Sequence, residues 1–311
     1  MRAGSPSPSS PCRCGWTCPE PPSGELLRAL YDLPAPAKLN LFLHVVGRRD
    51  DGYHLLQSVF ALIDWCDTLH VERRDDGRLL RHDLAAPLPE DDLCLRAARL
   101  LQSESGCTFG ADLSIDKRVP WGAGLGGGSS DAATTLLALN RLWGLHWPRE
   151  RLLALALRLG ADVPFFVGGR NAWVEGIGER LAPIELAPRW YAVLKPAVAV
   201  PTSAIYGSPL LVRDTSPATI FDFSADPKGF GRNDMQAPAG AYSSEVADAL
   251  AMLEARYGSS RMTGSGSAVF AEAGPGDAPE PAMTAASMLP AGWVQRMCRG
   301  LARHPLADWA D

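Results

Sequence analysis

The chain reads as an α+β protein of about two domains, and three observations carry that reading. Some segments alternate apolar and polar residues, as half-buried strands do, and others repeat apolar residues every three or four positions, as helices do. The two kinds do not follow one another in the strict alternation of a doubly wound sheet. The length of 311 residues also exceeds a single typical core. With 46% apolar residues the chain can build a sizeable interior, which excludes wholesale disorder. Thirty Lys and Arg against 35 Asp and Glu give a formal charge of −5, so the basic surplus of a general nucleic-acid binder is missing. No apolar run approaches the roughly 18–20 residues of a membrane helix, and the expectation is a soluble protein with no membrane partner.

Taken in order, residues 35–46 alternate after two prolines, with Leu39, Leu41, Leu43 and Val45 on one face and Lys38, Asn40, Phe42 and His44 on the other. Asp50, Asp51 and Gly52 supply a turn, 53–63 reads as the returning strand, 68–72 as a further strand, and Asp75-Asp76-Gly77 as another turn. Residues 91–102 place Leu93, Ala97, Leu100 and Leu101 at helical spacing behind acidic residues that suit a helix N-terminus. A strand at 111–116 precedes a glycine-rich stretch and an Ala/Leu-rich helix reaching about Trp143. Residues 148–159 form a helix that starts with Pro148 in its first turn and stops at Gly160. Strands are expected at 171–175, 190–195 and 269–272, helices at 243–257 and 282–288, and an irregular excursion at 207–232.

The first 24 residues hold six Pro, five Ser and three Gly, too many breakers for a regular element. They lack a secretory apolar region and carry no acid before Glu20, a faint likeness to a transit peptide. Residues 1–30 are therefore expected to be a disordered or non-native extension, and the location cytoplasmic, with a plastid as the alternative. Cys12, Cys14 and Cys18 crowd this extension without the paired ligands of a zinc finger, so no metal site is assigned there. Cys66, Cys94, Cys107 and Cys298 sit among apolar neighbours and read as free thiols of a reducing compartment.

Five of the seven residues 122–128 are glycine, and Ser129-Ser130 follow at a helix start. Glycines allow positive φ and close backbone approach, and the unpaired N–H groups of a helix start attract anions. A flexible turn capped by serine is the plain alternative, but a turn needs one or two glycines rather than five. The stretch is thus a phosphate loop. Gly122-x-Gly124-x-x-Gly127 matches a dinucleotide fingerprint in form only. Lys117, Arg118, Val119 and Pro120 intervene after the strand, and the acid about 20 positions on, Glu150, falls in a helix. No Gly-Lys-Ser/Thr closes a Walker loop, and no protein-kinase motif set appears.

The loop from Pro120 to Ser130, together with Pro36-Ala37-Lys38-Leu39-Asn40-Leu41 and Thr263-Gly264-Ser265-Gly266-Ser267, resembles the three motifs of the GHMP small-molecule kinases, in the same order. Asp51-Gly52-Tyr53-His54, Ser130-Asp131-Ala132-Ala133, Gly160-Ala161-Asp162-Val163-Pro164-Phe165-Phe166 and Pro201-Thr202 narrow the likeness, over about residues 34–305. They point to the branch that phosphorylates 4-diphosphocytidyl-2-C-methyl-D-erythritol for non-mevalonate isoprenoid synthesis. That resemblance implies a two-domain fold: an ATP-binding N-terminal domain at 31–175 and a smaller α/β-sandwich, substrate-binding C-terminal domain at 176–311. It implies ATP with Mg²⁺, a small-molecule substrate, no nucleic-acid partner, and a monomer or weak homodimer.

By the same resemblance Asp162 is the base that accepts the proton of the substrate's 2-hydroxyl, with Lys38 beside it. On the residues alone, Asp162 is equally an Asx turn residue after a helix stop, and Lys38 equally a solvated strand lysine. ATP contacts fall to Lys117, Pro120, Gly122, Gly124, Leu125, Gly126, Gly127, Gly128, Ser129 and Ser130, with Ser130 also a candidate Mg²⁺ ligand. No protein metal cage is expected. Substrate contacts fall to Asn40, Tyr53, His54, Asp162, Thr202 and Tyr206; Tyr53 would stack on cytosine, His54 hydrogen-bond it, and Tyr206 close its other side. Cross-strand packing and a strand-end lysine are the plain readings of Tyr53 and Lys117. Ala123 replaces a common loop glycine, Asp92 an asparagine near adenine, and Gln236 an acid after Asn233-Asp234. Rival readings are a kinase of homoserine, mevalonate or a sugar, which Gly52-Tyr53-His54 disfavours, and a silent nucleotide-binding regulator.

Overall fold

The structure, a computed structural model, describes residues 27–310 apart from 86, 279, 284, 286 and 287. Cys12, Cys14 and Cys18 lie outside the described residues, whereas Cys66, Cys94 and Cys298 are free thiols. No helix among the described residues is long and apolar enough to cross a membrane.

Two long antiparallel strands organise the molecule: β1 (Ala29–Arg48) and β2 (His54–Arg74), joined by a turn in which Gly52 has φ 91°. The expected strands at 53–63 and 68–72 are one continuous β2. Their pairing shifts register at Pro36/Ala37 and between Asn40 and Leu43, and such bulges bend a ribbon. The bent β1 is buried on both faces. Lys38, Asn40, Phe42 and His44 are at most 7% exposed, so the face that reads as polar is interior too.

The first sheet has the order β3 (Leu79–Asp83), β4 (Gly110–Asp116), β2, β5 (Ala172–Glu175), β6 (Arg180–Pro183), with β1 also on β2. Helices α1 (Leu93–Ser105), α2 (Gly127–Leu142), α3 (Arg149–Leu159) and α4 (Val163–Gly168) share a core with it, centred on residues such as Leu69, Leu113, Leu136 and Phe166. Asp92 caps α1 by accepting from Leu95 N at 3.0 Å, and Gly106 ends it in the left-handed region. Pro148 is the N-cap of α3 rather than its first-turn residue.

After β7 (Arg189–Lys195) the chain forms α5 (Thr202–Gly207), α6 (Ile220–Ala225), α7 (Gln236–Tyr242) and α8 (Ser244–Tyr257), then β8 (Arg261–Met262), β9 (Val269–Pro275) and β10 (Val294–Arg299). The second sheet runs β10-β7-β9-β8 and packs on α7 and α8. A third core, including Leu39, Phe42, Trp173, Tyr191 and Phe270, fills the junction of the two sheets. The excursion at 207–232 contains α6, held by a Thr219–Asp222 capping box. Of the described residues in the span 282–288, where a helix is expected, 282, 283 and 285 are irregular and only Met288 is helical, of the 3-10 kind, while Met283 packs against the second-sheet core. The last residues return to the first sheet: Leu301 N donates to Leu62 O at 2.8 Å, and Leu306 and Ala310 join the first core.

Candidate active site

The glycine loop leaves β4 through an anchored passage. Asp67, fully buried on β2, accepts from Arg118 N at 2.6 Å and Val119 N at 2.7 Å, while Trp65 Nε1 donates to Arg118 O at 2.9 Å. Lys117 Nζ lies between the carboxylates of Asp67 and Asp131, the latter at 2.6 Å. Burial opposes the Lys117 charge, yet Asp131 and Asp67 together hold its pKa above the ordinary value. Burial pushes the Asp131 carboxyl up, against the pull of Lys117 and with added repulsion from Asp67.

Gly122, Gly124 and Gly126 occupy left-handed conformations at φ 62°, 75° and 73°. Close packing demands glycine at two of them. A Cβ on Gly124 would stand 2.2 Å from Thr263 O, and one on Gly126 would meet Phe166 Cζ at 3.0 Å and Lys38 Cγ at 3.2 Å. Ala123 keeps a negative φ and is buried, with its carbonyl accepting from Ala268 N at 3.1 Å, so the missing glycine introduces no strain. The loop therefore rests on the Thr263–Gly266 turn.

Between them opens a cavity of about 260 Å³, bordered by Lys117, Pro120, the loop glycines and Ser129 on one side and by Thr202 and Ser265 on the other. Helix α2 begins at Gly127 with no side-chain cap, so its first N–H groups are free to bind an anion in that cavity. Leu125 contributes main chain only; its side chain is buried and its carbonyl accepts from Lys38 N at 2.9 Å. Ser130 departs from expectation. Its side chain is fully buried, does not border the cavity, and its Oγ has no partner among the described residues. The helical turn carries Ser130 inward where Ser129 faces out.

Lys38 and Asp162, 124 positions apart in sequence, are brought to 3.7 Å, Nζ to Oδ2. Lys38 is 3% exposed, with Nζ 2.5 Å from Asn40 Oδ1 and 4.6 Å from the Phe60 ring centroid. Burial lowers its pKa and Asp162 opposes that shift. Asp162 is the N-cap of α4 but its side chain makes no capping bond, which removes the Asx reading and leaves the carboxylate one-third exposed beside Lys38.

Asn40 is more committed than the sequence suggests. Its Oδ1 takes Lys38 Nζ, Gly264 N at 2.9 Å and Thr263 Oγ1 at 3.2 Å, while Nδ2 donates to Ser58 Oγ at 2.9 Å. It ties the lysine to the loop's support instead of presenting a free amide.

The His54 ring stacks on Tyr206, centroids 4.5 Å apart and planes 18° from parallel. That spacing leaves no room for a base between those two rings. Tyr53 is 60% exposed and free to offer its face. Burial, then Arg213 and Arg48, lower the His54 pKa. Its Nε2 accepts from Arg213 Nε at 3.3 Å, and Arg213 also donates to the Tyr206 carbonyl at 2.8 Å. Thr202 Oγ1 is 2.9 Å from Ser265 Oγ on the cavity wall.

Of three supporting residues, Arg213 is unmarked in the sequence, whereas Asn233 and Gln236 belong to the Asn-Asp stretch singled out there, without a role. Asn233 Nδ2 donates to Met262 O at 2.7 Å and Gly264 O at 2.8 Å; Gln236 Oε1 accepts from Met262 N at 2.9 Å, a bond an acid would make equally. Asp92 serves α1 and pairs with Arg81 at 3.1 Å.

The chain is similar to known proteins over most of its length. Residues 92–170 match the family described as GHMP kinases N terminal domain, and residues 224–287 match GHMP kinases C terminal. The chain is 80% identical to the 4-diphosphocytidyl-2-C-methyl-D-erythritol kinase of Methylibium petroleiphilum, covering 91% of this chain and 99% of that one. It is 57% identical to the protein of the same name from Ralstonia nicotianae, covering 90% and 97%. A crystal structure of 4-(cytidine 5'-diphospho)-2C-methyl-D-erythritol kinase superposes with TM-score 0.73 at 38% identity, covering 86% of this chain and 98% of that one. A homoserine kinase from Cytophaga hutchinsonii shares the fold at TM-score 0.59 and 15% identity.

Proposed function

Because the chain belongs to the 4-diphosphocytidyl-2-C-methyl-D-erythritol kinase family of the GHMP kinases, we propose that it transfers the γ-phosphoryl group of ATP to the 2-hydroxyl of that cytidine-linked alcohol. It is an ATP-dependent small-molecule kinase of isoprenoid synthesis. The observation that carries the finer reading is the approach of Lys38 and Asp162 beside the glycine loop.

In this reading the loop N–H groups and the start of α2 bind the phosphates, and Lys117 flanks them. Asp162 accepts the hydroxyl proton as the oxygen bonds to the γ-phosphorus and the bond to the ADP oxygen breaks. Lys38, 3.7 Å from the Asp162 carboxylate, steadies charge on the transferring group. Tyr53 stacks on the cytosine, with His54 and Tyr206 forming a packed wall beside it.

Mg²⁺ would accompany ATP, held mainly by the nucleotide phosphates. Bound there it would screen charge between the β- and γ-phosphates. We place the domain division near residues 175 and 176, with the chain end returning to the first domain, and the enzyme in the cytoplasm.

The test is an ADP-release assay with 4-diphosphocytidyl-2-C-methyl-D-erythritol, homoserine, mevalonate and a hexose. Turnover with the first alone is expected. Preference for another alcohol overturns the assignment, and no ADP release with any of them leaves the silent-regulator reading.

A further inference from the structure

A second cavity, larger than that at the nucleotide loop, lies away from it and shares no residue with its lining. It measures about 420 Å³ and opens where β1 meets the second sheet, beneath α6. Phe223, Phe270 and Leu41 give it an apolar floor, and all three are buried to better than nine-tenths.

Two polar groups in its wall lack the partners such positions normally have. Arg261 is half-buried, and no carboxylate among the described residues pairs with it. Its guanidinium donates to Leu41 O and to Gly231 O, the latter at 2.9 Å, which engages two of its five N–H groups and neutralises none of its charge. Burial alone acts on it, lowering its pKa. Tyr191 is 5% exposed, yet its hydroxyl has no hydrogen-bond partner among the described residues.

Of the acids in the lining, Glu272 is paired with Arg189 at 3.5 Å, while Asp226, which accepts from Gly229 N at 3.0 Å, and Glu185 are exposed to solvent, as Lys228 is. A buried cation without a counter-charge is costly, and an anion entering from solvent relieves that cost. An aromatic floor with a few converging polar groups is the general form of a small-ligand site.

We propose that this cavity is a second ligand site, taking a small organic anion whose acidic head meets Arg261 and the Tyr191 hydroxyl and whose apolar body lies on Phe223 and Phe270. A carboxylate and a phosphate monoester present the same chemistry here.

The test uses the full chain and the fluorescent anion anilinonaphthalene sulfonate as reporter. Hexanoate, hexyl phosphate, hexanol and MgATP serve as competitors. One saturable site is expected, displaced by hexanoate or hexyl phosphate, with the stronger of the two identifying the head group, and not by hexanol or MgATP. Arg261→Met should weaken reporter binding by about tenfold or more, since it removes a charged donor. Should that variant fail to fold, Tyr191→Phe decides, with weaker binding at an unchanged melting temperature. Absence of a saturable site, displacement by MgATP, equal competition by hexanol, or wild-type affinity in the folded variants overturns the proposal.

Discussion

Two glycines of one loop should respond to alanine in opposite directions. Gly124 sits at φ 75° with its would-be Cβ 2.2 Å from Thr263 O, 3.0 Å from Thr263 C and 3.2 Å from Gly266 N. These are main-chain atoms, so relief requires moving the Thr263–Gly266 turn. A left-handed alanine costs about 1–2 kcal/mol. Forced overpacking adds about 1–3 kcal/mol. Gly124→Ala should therefore destabilise by roughly 2–5 kcal/mol, a fall in melting temperature of roughly 4–20 °C for a chain of this size. Gly128 lies within α2, and its Cβ would meet only Leu93 Cδ1, at 3.8 Å, in ordinary contact. Gly128→Ala should stabilise by about 0.4–1 kcal/mol through the unfolded chain. Thermal melts of both variants against wild type decide the matter. The Gly124 variant should also lose kcat, because the displaced turn holds Asn40, and Asn40 holds Lys38. A Gly124→Ala protein that melts with wild type would refute the packing argument.

Asp162→Asn should lower kcat by about 10²–10⁴ while leaving the ATP KM near normal, as expected for loss of a general base; full retained turnover would remove that role. Tyr53→Ala should raise the KM for the cytidine substrate by about tenfold, in line with the worth of base stacking, and the ATP KM hardly at all. An equal rise in both would contradict stacking. His304 supplies a pH prediction: burial, helped by Arg149, lowers its pKa to about 4, and its Nδ1 accepts from Leu306 N at 3.0 Å. Protonation favours the unfolded chain, whose histidine titrates near 6.5, so this stability is complete above that pH and is lost as pH falls toward 4. The loss amounts to about 3 kcal/mol. His304→Asn keeps an acceptor and cannot charge, so its denaturant midpoint should fall less than wild type between pH 6.5 and pH 4; parallel curves would exclude the histidine.

Strong local periodicity made α1, α2, α3, α8 and the strands β4, β5 and β7 legible in the sequence to within a few residues. The elements it hid are short or lie at edges. β3 has two leucines and borrows its place from a parallel pairing with β4. α4 begins around Pro164 and is too short for a period. β10, Val-Gln-Arg-Met-Cys-Arg, has no clean alternation to announce a strand.

The chemistry of the loop was determined by the sequence alone, because five glycines and a helix start depend on neighbouring residues and need no distant partner. The motif order placed the chain among small-molecule kinases for the same reason. Whether Lys38 is solvated or buried was a different kind of question. Its strand alternates like a half-exposed one, and its side chain is buried only because Phe60, Gly126 of the glycine loop and Asp162 close over it. Tertiary structure likewise set Lys38 against Asp162, turned Ser130 inward, closed His54 onto Tyr206 and left Arg261 without a counter-charge. Each of these is a relation between segments distant along the chain, and charge, burial and distance exist for such a pair only after the chain has folded.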